Sequence, residues 1–130
     1  MIVLDASAAI EWLLQTAAGA RVEDRLFSPI ATLHAPHLLD LEVGQVLRRY
    51  VTAGVITASR GHEALEDLLE LPLTRYPHDA LLFRVWELRD NLTAYDAAYV
   101  ALAEALDAPL VTCDAKIASA SGHHARVEIV

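Results

Sequence analysis

Short apolar runs alternate with longer amphipathic stretches along this chain, and that alternation limits its fold more than any other feature. Ile2-Val3-Leu4, Thr32 to Ala35, Leu73 to Tyr76, Leu110-Val111-Thr112 and Val127 to Val130 read as strands. Between them the apolar residues recur at helical spacing. Helices are expected over Ser7 to Leu14, Ala17 to Phe27, His37 to about Ala53, Thr57 to Leu71, Asp79 to Arg89, Thr93 to Leu106 and Ala115 to Ala120. Ser7 reads as the N-cap of the first helix, and Thr93 as the cap of the sixth. Pro36, Gly54 and Pro72 are fitting stops. Buried strands separated by helices predict an α/β fold: a central parallel sheet between two helical layers, with right-handed connections. Sites in such sheets lie at the carboxyl ends of the strands.

No linker, repeat or low-complexity tract interrupts this pattern, so residues 1–130 read as one domain. Hydrophobic residues make up 55% of the chain, with alanine prominent, which suits closely packed helices. The single cysteine, Cys113, has no internal partner, which points to a reducing cytoplasm. A secretory leader is not expected, because no basic residue precedes Arg21 and Asp5 and Glu11 break the apolar start. Charged residues or proline also break every run before it reaches membrane-spanning length. The formal net charge of −8 argues against a broadly basic nucleic-acid-binding surface. It leaves room for a local acidic site whose sign a metal ion inverts.

The acids at structured positions give that site its candidates. Asp5 follows the first strand directly, and Asp114 comes two residues after Thr112, so two parallel strands carry them to the same sheet edge. Each could instead simply begin a helix, where a negative charge suits the dipole. Glu42 has Leu38, Leu39 and Val46 as helical neighbours, an apolar stripe on which a carboxylate needs a metal or an ion-pair partner. Asp96 has Leu92, Tyr99 and Val100 around it and also resembles the acid of a capping box begun by Thr93. Asp40 points elsewhere on its helix and reads as solvated.

Oxygen ligands of this kind suit Mg²⁺ or Mn²⁺ rather than zinc. No paired Cys/His spacing supports zinc, and the adjacent His123 and His124 read as loop residues. Cys113 reads as a buried thiol without a base. Glycine-rich nucleotide-binding motifs, the Walker sequence and the serine nucleophile elbow are all absent. An aspartyl-nucleophile phosphatase would carry a second Asp where Ser7 stands.

These residues resemble a known family. Ile2-Val3-Leu4-Asp5-Ala6-Ser7, Leu41-Glu42-Val43, the block from Leu92-Thr93-Ala94-Tyr95-Asp96 to Ala103, and Leu110-Val111-Thr112-Cys113-Asp114 are similar to the PIN-domain VapC toxins of type II toxin–antitoxin operons. The likeness runs along essentially the whole chain. It implies an endoribonuclease with a three-layer α/β/α PIN fold, working as a homodimer with Mg²⁺ or Mn²⁺. It assigns Asp5, Glu42, Asp96 and Asp114 as metal-holding catalytic acids, with Ser7 and Thr112 in support. The implied partners are RNA and a cognate VapB-type antitoxin that blocks the site with a short C-terminal segment. Ala115 and Lys116 stand where many relatives carry a further acid. Arg48 and Arg49 read as either a phosphate track or a solvated helix face. Two other readings keep the fold: an inert PIN-fold binding module, and a PIN nuclease acting on DNA or structured nucleic acid.

Overall fold

The computed structural model describes residues 1–130. Five strands form one sheet: β1 (Ile2–Leu4), β2 (Leu33–Pro36), β3 (Leu73–Tyr76), β4 (Leu110–Thr112) and β5 (Val127–Ile129). Every neighbouring pair is parallel and the order is β3-β2-β1-β4-β5. All residues of the three central strands β2, β1 and β4 are buried, whereas the edge strands β3 and β5 are partly open. The buried strands therefore do not alternate apolar and polar faces, and the polar residues they carry, His34 and Thr112, are buried too.

Seven helices connect the strands. α1 (Ala6–Leu13) and α2 (Ala17–Leu26) lead from β1 to β2, and α3 (Leu38–Thr52) and α4 (Ala58–Glu70) lead from β2 to β3. A 3-10 turn (Asp79–Leu81), α5 (Leu82–Glu87) and α6 (Ala94–Leu106) lead back to β4, and α7 (Ala115–Ser119) precedes β5. The first two connections step in one direction across the sheet and the last two in the other. Right-handed crossovers therefore put α1–α4 on one face and α5–α7 on the opposite face. The packing agrees, with α1 against α2, α3 and α4, and α5 against α6. α6 lies across β1, β2 and β4, and its residues Ala97 to Ala103 are all buried. Its alanines let that helix approach the sheet closely.

Several expectations shift in detail. α1 is capped by Asp5, whose side chain accepts a hydrogen bond from the Ala8 amide, and not by Ser7. An extended Asp5 can finish β1 and cap the next helix at once, which leaves Ser7 inside the first turn. The predicted helix over Asp79 to Arg89 is a 3-10 turn followed by the short α5. Asp40 is not simply solvated, because Arg75 of β3 grips both of its oxygens at 2.7 and 3.1 Å. Cys113 is half-buried rather than buried. Gly54 ends α3 with a positive φ of 74°, and His123 and His124 lie in a loop, as expected. No helix is long and apolar enough to cross a membrane.

Candidate active site

The strand order reverses beside β1: the chain goes first to β2 on one side and later to β4 on the other. Open parallel sheets form their crevice at that switch point, outside the carboxyl ends of the strands. Asp5 leaves β1 there and Asp114 follows β4. A cleft of about 280 Å³ opens at this place, and Asp5, Glu42, Asp96 and Asp114 all line it. Four separate chain segments thus bring one carboxylate each to a single cavity.

Asp5 is the most deeply set, only 4% exposed. Its Oδ1 accepts from the Ser7 hydroxyl at 2.8 Å and from the Ala8 amide at 3.0 Å, and its Oδ2 accepts from the Thr112 hydroxyl at 2.5 Å. The Asp5 amide donates to Val111 of β4 at 3.2 Å. Ser7 Oγ also accepts from the Cys113 amide at 2.9 Å, and Thr112 Oγ1 accepts from the Asp114 amide at 2.9 Å. Asp114 in turn accepts from the Lys116 amide at 2.9 Å and caps α7. The result is a mesh that ties the end of β1 to the end of β4. Ser7 and Thr112 hold Asp5 and the Asp114 loop in place. That is a different task from capping, and it explains a fully buried Thr112.

Glu42 projects from α3, and its Oε1 accepts from the Tyr99 phenol of α6 at 2.5 Å. No ion pair forms at Glu42, so the ion-pair partner considered for it is absent. Asp96 stands in the first turn of α6, where Thr93 Oγ1 accepts from the Asp96 amide at 3.1 Å. Tyr99 follows one turn later, so α6 supplies both an acid and the donor that steadies a second acid. Sequence reading treated Tyr99 only as an apolar neighbour, although its phenol at helical spacing from Asp96 was a visible signal.

Electrostatics follow from this crowding. Burial pushes the Asp5 carboxyl above the usual aspartate range, the Thr112, Ala8 and Ser7 hydrogen bonds oppose it, and the Asp114 charge adds to it. Burial raises Glu42, against the Tyr99 hydrogen bond and with help from the Asp96 charge. Burial and then the Asp114 charge raise Asp96. Desolvation and the adjacent Glu42 carboxylate hold the Tyr99 phenol far above its ordinary value, so it remains a donor. Several acids in one cavity thus resist ionising together, which is what a site that takes up cations does.

Two further polar residues line the cleft, one that the sequence does not single out and one that it leaves open between a phosphate track and a solvated helix face. Glu11 stands one turn after Ser7 on α1, and Arg49 two turns after Glu42 on α3. Glu11 was detectable by helical spacing, but an acid at a solvated-looking position gives no chemical signal alone. Glu11 is turned aside by a hydrogen bond from the Thr16 hydroxyl.

The donor set fits a hard divalent cation only in one way. No three acidic side chains stand ready to ligate a single ion directly. A carboxylate has about four acceptor positions, and Asp5 already uses three on protein donors, which leaves it one. Mg²⁺ commonly takes one or two carboxylates and keeps several waters, and this cluster suits that mode.

The fold and this site define a class. The family model of the PIN domain matches residues 2–122, and the chain belongs to the PIN-domain family. Within it, the similarity is to the VapC group. The chain is 45% identical to ribonuclease VapC12 of Mycobacterium tuberculosis over 130 residues, covering 100% of this chain and 99% of that protein. It is 42% identical to ribonuclease VapC9 of the same organism over 130 residues, with 100% and 98% covered. Among solved structures, a chain of the VapBC2 complex from Rickettsia felis superposes with a TM-score of 0.74 at 17% identity, covering 99% of this chain and 98% of that one. That likeness establishes the shared architecture.

Proposed function

We propose that this protein is the endoribonuclease toxin of a type II toxin–antitoxin pair and hydrolyses RNA phosphodiester bonds with Mg²⁺ or Mn²⁺. The observation that carries the reading is the gathering of Asp5, Glu42, Asp96 and Asp114 in one cleft at the sheet's switch point. The full-length similarity to proteins named as VapC ribonucleases supplies the substrate class. Asp5, Glu42, Asp96 and Asp114 are the residues that would hold the metal. When bound, the metal supplies Lewis-acid chemistry: it makes water nucleophilic near neutral pH and neutralises charge on the cleaved phosphate. Thr112 and Ser7 fix the Asp5 carboxylate, and the Tyr99 phenol fixes Glu42.

The remaining expectations belong to the same reading. A VapB-type antitoxin is the cognate partner. A groove of about 570 Å³ lined by Trp12 and Phe27, with Glu23, Asp67 and Glu70 on its polar side, offers it an apolar seat with acidic surroundings. A homodimer is supported by Leu82, Phe83 and Trp86 of α5, which are exposed large apolar side chains. A half-buried, unpaired Cys113 suits a cytoplasmic protein.

The test is cleavage of labelled single-stranded RNA and of the matching DNA by the purified protein, with Mg²⁺, with Mn²⁺ and with EDTA. Cuts in RNA that require the metal are expected. Cutting confined to DNA, or equal cutting in EDTA, would overturn the reading.

A further inference from the structure

Of the two adjacent arginines that sequence alone could not separate, one lines the cleft and the other does not. Arg49 is the only basic residue that lines it, and Arg48 is not part of the lining. Glu42, Val46 and Arg49 all line the cleft, at positions i, i+4 and i+7 of α3. One face of that helix therefore presents an acid near its start and a cation two turns on, about 10 Å along the axis at the usual helical rise. Arg49 nevertheless forms no ion pair, although Glu11 and four other acids line the same cavity. Arg25, Arg60, Arg75, Arg84 and Arg126 are each paired with a carboxylate. Arg21, Arg48 and Arg89 also form no ion pair, but none of them lines this cleft. Arg49 alone stands among carboxylates with its guanidinium donors free.

We propose that Arg49 is a binding residue for a backbone phosphate of single-stranded RNA, next along the strand from the phosphate at the acids. This deepens the ribonuclease reading and rests on it. The chain carries a net charge of −8, and an acidic cleft repels a polyanion. The metal offsets that repulsion at the cleaved bond only. A neighbouring phosphate needs its own cation, and a guanidinium offers paired donors matched to phosphate oxygens. The distance along α3 puts Arg49 beyond the reacting centre, so it holds and registers the strand and takes no part in bond breaking.

The experiment measures binding of a short labelled single-stranded RNA in Mg²⁺ across a series of KCl concentrations. The host is the Asp96→Asn protein, so that the RNA stays intact. Adding Arg49→Ala should weaken binding several-fold and lower the slope of log K against log salt by about 0.7, the value for one phosphate contact on a single strand. Arg49→Lys should keep the slope, because the charge remains. Arg48→Ala, one position round the same helix, should change neither quantity. Equal effects of Arg48→Ala and Arg49→Ala, an unchanged slope in Arg49→Ala, or no salt-dependent binding in the host at saturating Mg²⁺ would each overturn the proposal. Failure of the parent reading shows separately, as RNA cleavage that persists in the Asp96→Asn host.

Discussion

Asp5 and Asp114 were legible in the sequence because an acid one or two residues past the end of a buried parallel strand falls at one sheet edge. Glu42 and Asp96 were legible because a carboxylate on an apolar helical face needs a reason. Ser7 was misread because a serine before a helix looks like a cap. The true cap is Asp5, two residues before it, and the Ser7 hydroxyl is freed to bind Asp5 and the Cys113 amide. Tyr99 was not legible as a site residue, since an aromatic on an alanine-rich helix fits a blander role, and Arg49 was only half legible, since a phosphate track and a solvated helix face were both open to it. Residue electrostatics also yield a pH prediction. Glu42 has a folded-state pKa above its ordinary 4.5, first because of burial. Its contribution to stability is fully present below the unfolded value and is lost as pH rises through the folded one. Glu42→Gln removes that loss and keeps an acceptor for Tyr99. In metal-free buffer, the thermal midpoint of Glu42→Gln relative to wild type should therefore be more favourable at pH 7 than at pH 4. Taking the difference between proteins removes the opposing effect of His34, whose burial lowers its pKa. A difference independent of pH would contradict the assigned burial of Glu42.

At the scale of elements, strand and helix positions followed from hydrophobic periodicity, and most boundaries moved by only a residue or two. The strand order did not follow, because five short apolar runs of similar composition carry no pairing label. Only packing decides that β1 sits between β2 and β4. One contact fixes how the first two helices meet. Gly19 of α2 stands where an added Cβ would lie 2.1 Å from the Glu11 carbonyl oxygen and 2.7 Å from its carbon. Both are backbone atoms of α1, so no flexible side chain can give way. That carbonyl already accepts from the Thr16 amide at 3.1 Å, at the turn into α2. Gly19→Ala should cost roughly 1–3 kcal/mol or more, the usual range for overpacking a tight core. It should also lower activity through α1, which carries Ser7 and Glu11. Denaturant unfolding measures the loss; a stability within about 0.5 kcal/mol of wild type would show that the two helices slide apart freely.

For the molecule as a whole, the fold and the site have one cause. Parallel strands with right-handed crossovers reverse direction beside β1, and the reversal opens the only edge where acids from β1, α3, α6 and the end of β4 can meet. The acidic net charge, which counts against a broadly basic binding surface, leaves room for this local cluster of carboxylates. The central claim is that these carboxylates hold the metal that cleavage requires. The most direct measurement is a calorimetric titration of Mg²⁺ into the wild-type protein and into Asp96→Asn, with RNA cleavage followed on the same samples. Asn retains the shape of the side chain in the first turn of α6 and removes the charge. The account predicts that Asp96→Asn keeps the wild-type fold, binds Mg²⁺ at least tenfold more weakly and loses RNA cleavage even at high Mg²⁺. Wild-type metal affinity together with wild-type cleavage in that variant would contradict it.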